Sequence, residues 1–257
     1  MLLISVFLKI VNGCLLSASN VVWYGVYTHG ILKKAKILPG LLLKWFETHG
    51  RSFPWRVKGG NLFPLLVAEI LLKKTRAATA NKLYPKLLRR YPTAHDLSAA
   101  AVAELSRLLQ PIGLSEQRAE HLINLSTVLD ILEQPLESSS ELSKLAGVGP
   151  YTAAIVGAVH FAEQKVGMDT NVTRVISRVF ALEKTRAEAR KSPEIWQLGA
   201  TIAAAAAENV AELNWAFLDL GAMVCKLKIP TCTQCPLREH CCYARRKFAK
   251  QSIHLQR

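Results

Sequence analysis

Four cysteines near the end of the chain are spaced Cys225-x6-Cys232-x2-Cys235-x5-Cys241. Thiolates at such intervals can surround one metal centre, either a tetrahedral zinc ion or a cubane iron–sulfur cluster. Lys226 and Lys228 lie in the first loop of this run, and Arg238, Arg245, Arg246, Lys247 and Lys250 follow, a basic surface fit to track phosphates. Farther upstream, Asp169 stands in Met168-Asp169-Thr170-Asn171, just ahead of a helical pattern, where an N-cap belongs. A carboxylate there accepts backbone N–H bonds and stays ionised. Beyond the plain capping role, a fixed negative charge suits a developing positive one, such as the oxocarbenium sugar of a breaking glycosidic bond. A third feature is Leu145-Ala146-Gly147-Val148-Gly149-Pro150-Tyr151. One helix ends at a Gly-Val-Gly turn and the next starts with Pro150 at its first position. The turn is either an ordinary αα-hairpin or a phosphate site made from outward amides beside a helix N-terminus.

These residues need helices to hold them. From Leu38 onward apolar residues recur at helical spacing, with few alternating runs. Pro39-Gly40 predicts a helix start over roughly 40–49, closed by Gly50. Further helices are expected at about 65–74, 76–90, 101–109, 116–133, 139–145, 151–163, 170–181, 194–208 and 212–224. Arg51-Ser52-Phe53-Pro54-Trp55-Arg56 reads as a turn carrying two aromatics. The fold class is all-α.

The 257 residues suit one large domain or two small ones, and half are hydrophobic, which excludes wholesale disorder. A net charge of +14 argues for a polyanionic partner: DNA, RNA or an anionic membrane surface. Clustered cysteines imply a reducing interior rather than a disulfide framework, so a cytoplasmic location is expected. The apolar stretch 1–27 has no Lys or Arg before Leu8, and polar residues interrupt it. Residues 1–35 are therefore expected to be an extension unrelated to targeting, and no membrane partner is expected.

The three motifs together resemble the helix-hairpin-helix DNA glycosylases of the endonuclease III and MutY type. Leu145-x-Gly147-Val148-Gly149, Asp169 eighteen residues after Tyr151, and the cysteine run match in order and spacing. So do Phe53-Pro54-Trp55-Arg56, Ala68-Glu69-Ile70-Leu71-Leu72 and Asp219-Leu220-Gly221-Ala222-Met223-Val224-Cys225. The resemblance implies a bilobal all-α glycosylase fold, with DNA at the cleft. A six-helix barrel would span 53–163 and an iron–sulfur cluster domain 36–52 with 164–245, leaving a basic tail at 246–257. It further implies a [4Fe-4S] cluster on Cys225, Cys232, Cys235 and Cys241, with Lys226 and Lys228 against phosphates. Gly147, Val148, Gly149 and Tyr151 would grip the backbone. Asp169 would be the catalytic carboxylate, and Glu69 would meet the base from an apolar helix. The expected partner is double-stranded DNA with a mismatched or damaged base, bound by a monomer.

Endonuclease III-like enzymes carry a Schiff-base lysine at position 151, and Tyr151 has no amine. A monofunctional enzyme that leaves an abasic site is expected. MutY-like chains read Gln-Gln-Thr, Gly-Leu-Gly-Tyr-Tyr and Asp-Gly-Asn where this one has Lys73-Lys74-Thr75, Gly113-Leu114-Ser115-Glu116-Gln117 and Asp169-Thr170-Asn171. The pattern is closer to the Mig-type thymine/uracil mismatch glycosylases. By that analogy Leu114 would wedge into the base stack and Lys73 would approach the space left by an extruded base. The expected reaction is hydrolysis of the N-glycosidic bond of thymine or uracil opposite guanine, in base excision repair. A MutY-like adenine glycosylase is the alternative enzyme. A catalytically silent lesion-binding protein is the alternative of another class.

Overall fold

The computed structural model describes residues 10–11, 14–15, 29–182 and 185–254. Among the described residues the one strand pairing is a two-residue antiparallel ladder, β1 (Ile10–Val11) against β2 (Cys14–Leu15). Everything else regular is helical, so the all-α fold class holds. The chain divides into two compact units, one of residues 1–50 with 168–257 and the other of 51–167.

Helix α1 (His29–His49) opens the first unit, and here the sequence expectation needs correcting. Pro39 does not start the helix; it lies inside it, ten residues after the first residue, His29. A proline in a helix interior costs about 3 kcal/mol. The offset is visible in the burial stripe Ala35, Leu38, Leu42 and Trp45, which continues at helical spacing through the proline. Leu38 and Leu42 are essentially inaccessible, and each such side chain contributes about 1.5–3 kcal/mol. No helix among the described residues is long and apolar enough to cross a membrane.

The second unit is built from α2 (Leu62–Leu72), α3 (Ala77–Arg90), α4 (Ala94–Ser98), α5 (Val102–Leu109), α6 (Ser115–Asp130), α7 (Ser139–Leu142) and α8 (Pro150–His160). Leu65, Leu66, Val67, Ala68, Ile70 and Leu71 bury α2 on nearly every side, which makes it the unit's central helix. It packs against α3, α6 and α8, while α4 and α5 cover α6. Helix α4 was not expected; Thr93 and Asp96 form a reciprocal capping box that nucleates it. Ahead of α2, Phe53 and Trp55 stack with ring centroids 4.8 Å apart, and the Arg56 guanidinium lies over Phe53.

The first unit resumes with α9 (Thr170–Phe180), α10 (Arg186–Lys191), α11 (Pro193–Ala204), α12 (Val210–Met223) and α13 (Cys242–His254). Helices α1, α9 and α11 pack on α12, and α13 packs on α9. Helix α11 stops at Ala204 although the alanine run favours continuing, and Ala207 takes φ +50°. Tertiary packing overrides propensity here: the chain must reverse to bury Val210, Leu213 and Phe217 of α12. Position 221 has to be glycine, because a Cβ there would come within 2.6 Å of Asn171 Cβ on α9.

Candidate active site

In the second unit the Gly147–Tyr151 segment forms the expected turn into a helix. Gly147 has φ +79°, and buried Val148 anchors the turn through its N–H to Leu145 O at 3.1 Å. Gly149 is the N-cap of α8 with no side-chain cap, and Pro150 follows at the first helical position. Pro150 carries no N–H and the Ala153 N–H donates to Gly149 O at 2.9 Å, so the start of this eleven-residue helix lies beside the exposed backbone of Gly147 and Gly149. The Tyr151 ring lies against Gly167, where a Cβ would meet it at 3.1 Å. That contact fixes the start of the connection leading to Asp169.

Glu69 sits half-buried on α2 between buried Ala68 and Ile70, with Leu65 and Leu66 one turn back. Its charge is felt by Lys73 one turn on, where it works against the desolvation and the Arg118 charge that depress the ammonium's pKa. Lys73 Nζ donates to Gly147 O at 2.8 Å, so the structure brings two sequence-selected residues into direct contact. Leu114 is 57% exposed and has φ +50°, a left-handed conformation that leucine rarely adopts. The preceding Gly113 also has positive φ. The chain holds a large apolar side chain out into water at a cost of about 1 kcal/mol in backbone strain.

In the first unit Asp169 caps α9. Its Oδ1 accepts the N–H of Asn171 and of Val172, both at 2.7 Å, and Asn171 Nδ2 donates to Oδ2 at 2.9 Å. Burial pushes the Asp169 carboxyl above the usual aspartate range; these hydrogen bonds and the Arg174 charge oppose the shift without cancelling it. Sequence reasoning gave weight to the N–H bonds and overlooked the burial. It also missed Arg174. That guanidinium bonds Asn171 Oδ1 at 2.8 Å, Gly221 O at the end of α12 at 2.7 Å, and Cys225 O at 2.7 Å. One turn on, Arg178 donates to Cys225 Sγ at 3.3 Å, Lys226 O at 2.7 Å and Leu227 O at 2.9 Å, and lies over the Tyr243 ring. Two arginines four residues apart on the helix that Asp169 caps were the available signal. A charge-assisted chain therefore runs from the carboxylate through Asn171 and Arg174 to the first cysteine.

Cys225, Cys232, Cys235 and Cys241 are free thiols, the second and fourth buried. Each of Cys235 and Cys241 titrates in the field of the other cysteines. Burial first, and those charges with it, push Cys235 up to about 12 and raise Cys241 as well. Backbone amides offset part of this, Leu237 N–H at Cys235 and those of Tyr243 and Ala244 at Cys241. Four sulfurs sharing a field, with N–H donors and the Arg178 cation aimed at them, are a donor set suited to a cationic centre. Among the described residues no three His, Cys, Asp or Glu are drawn together as a single ion requires. Lys226, Leu227, Lys228 and Ile229 are all exposed in the loop.

Sequence comparison places this arrangement among known proteins. Residues 67–198 match the model of the HhH-GPD superfamily of base excision DNA repair proteins. The chain is 32% identical over 206 residues to a thymine-DNA glycosylase of Aeropyrum pernix, covering 79% of this chain and 92% of that protein. It is 33% identical over 205 residues to a thymine/uracil-DNA glycosylase of Pyrobaculum aerophilum, covering 78% and 88%. Among solved structures, a thermostable thymine-DNA glycosylase superposes with TM-score 0.75 at 29% identity, over 83% of this chain and 98% of the other. The chain belongs to the HhH-GPD superfamily of base excision DNA repair proteins.

Proposed function

We propose that the protein is a monofunctional DNA glycosylase that hydrolyses the N-glycosidic bond of thymine or uracil mispaired with guanine. The observation that carries this reading is the Asp169 carboxylate, pinned by two backbone amides and Asn171 at the start of α9. The similarity to thymine and thymine/uracil glycosylases over most of both chains supports the choice of base. The turn amides at Gly147–Tyr151 take a backbone phosphate. A mispaired nucleotide is extruded at lower cost than a paired one, and Leu114 fills the stack it leaves. Glu69 meets the pyrimidine with its carboxyl. As the C1′–N bond breaks, the electron pair leaves with the base and the sugar becomes cationic; Asp169 stabilises that charge and orients the water that adds to C1′. The proton lost by the water passes to the carboxylate. Tyr151 offers no amine, so no Schiff base forms and the strand stays intact.

Cys225, Cys232, Cys235 and Cys241 would hold a [4Fe-4S] cluster through their thiolates. Such a cluster would supply a cross-link that shapes the basic loop, with Arg178 and the local amides steadying the cysteine thiolates and Lys226 and Lys228 facing phosphates.

The test uses labelled duplexes bearing T:G, U:G, A:G or adenine opposite oxidised guanine, each split with and without hot alkali. Cleavage of T:G and U:G strands after alkali alone is the expected result. Reaction of the adenine duplexes instead would assign a MutY-like activity, cleavage without alkali a lyase, and retarded mobility with no cleavage a silent binding protein.

A further inference from the structure

We propose that Lys73 is a positioning residue: with Arg118 it latches the end of the Glu69 helix to the Gly147 hairpin, holding base recognition and phosphate grip in one register. This rests on the roles assigned above to Glu69 and to the hairpin. Helix α2 ends at Leu72, which leaves its last carbonyls without partners in the helix. The Lys73 and Thr75 amides turn back to Ile70 O and Leu72 O. Arg118 on α6, a residue only 6% exposed, adds further donors. Its Nη1 donates to Ile70 O at 2.8 Å and Leu71 O at 3.2 Å, and its Nη2 to Lys73 O and to Thr75 Oγ1 at 3.0 Å. A planar fork sets direction as well as charge. Lys74, between the two bonded residues, is held at φ +53°, so this loop shape is imposed by its partners.

The same helix also grips the hairpin. His121, three residues beyond Arg118, fills the space where a Cβ on Gly147 would sit: that atom would fall 1.7 Å from its Nε2. Its Nε2 is buried and takes no hydrogen bond, so the ring meets the hairpin by packing. Helix α6 is thus a common backing, with Arg118 holding the end of α2 and His121 holding the turn. The Lys73 ammonium on Gly147 O closes the triangle. A charge-assisted bond of this kind is stronger than a neutral one. It leaves the cation beside the phosphate site but bonded to the protein, so Lys73 acts through the hairpin and makes no phosphate contact of its own.

The experiment compares the parent with Lys73→Met and Lys73→Arg. Duplex affinity is measured across a salt series, and exchange of the Val148 amide, which donates to Leu145 O, is followed in the free protein. Loss of one charge-assisted bond predicts about tenfold weaker binding for Lys73→Met, faster exchange at that amide, and an unchanged slope of log K against log salt. Lys73→Arg should restore both affinity and protection. A slope shallower by about one, with exchange unchanged, would mean that Lys73 neutralises a phosphate itself and would overturn the proposal. Unaltered affinity and exchange would overturn it too. The exchange measurement needs no DNA, so it judges the latch even if the proposed substrate is wrong.

Discussion

Replacing Asp169 with Asn separates its two duties. As an N-cap, Asn serves about as well as Asp, so the contacts to the Asn171 and Val172 amides survive. What disappears is the charge. Losing its attraction to the helix N-terminus costs about 0.3–1 kcal/mol. Against this stands the raised pKa of the native carboxyl. A raised folded-state value means that the folded protein binds this proton more readily than the unfolded chain. Its contribution to stability is present at low pH and is lost as pH rises through the folded pKa. At neutral pH the ionised Asp169 therefore carries a burial cost that Asn removes. The two effects oppose each other, and the melting temperature should stay within about 4 °C of the parent. Excision should fall by a factor of about 100 to 1,000, the range for removing one preorganised charge-stabilising group. Thermal denaturation and single-turnover excision from a T:G duplex measure the two quantities. A variant that excises within threefold of the parent rate, or one that loses activity only because it unfolds, would refute the reasoning.

The same shift makes the acid limb of the excision profile fall at higher pH than an ordinary aspartate would give; a rate that stays flat through the acid range would remove Asp169 from the mechanism. Leu114→Gly should leave the free protein as stable or more so by about 1 kcal/mol, since glycine accepts φ +50° without strain, yet slow excision because the exposed wedge is gone. Unchanged excision would assign Leu114 to the turn alone. Cys232→Ala should abolish broad visible absorbance in the purified protein and lower its melting temperature, and a colourless parent would refute the cluster.

Much of this protein was legible in the linear order of its residues, because certain features depend only on local spacing. The Gly-Val-Gly turn with Pro150 behind it and Asp169 as a cap are set by neighbours a few positions away, and each lies where its spacing placed it. Helix α10 was also within reach, since Thr185 and Glu188 form a capping box. Helix α1 and the early end of α11 were not. Pro39 stays helical and the alanine run breaks because of what they pack against, and burial energy outweighs propensity at both places. The arginines that bridge distant segments lay furthest from sequence reasoning. Arg118, Arg174 and Arg178 bond carbonyls 45 to 51 residues away. Sequence alone singled out the candidate groups for the chemistry. Tertiary structure decided how firmly they are held, because a guanidinium reaches its carbonyls only after distant helix ends have been packed around it.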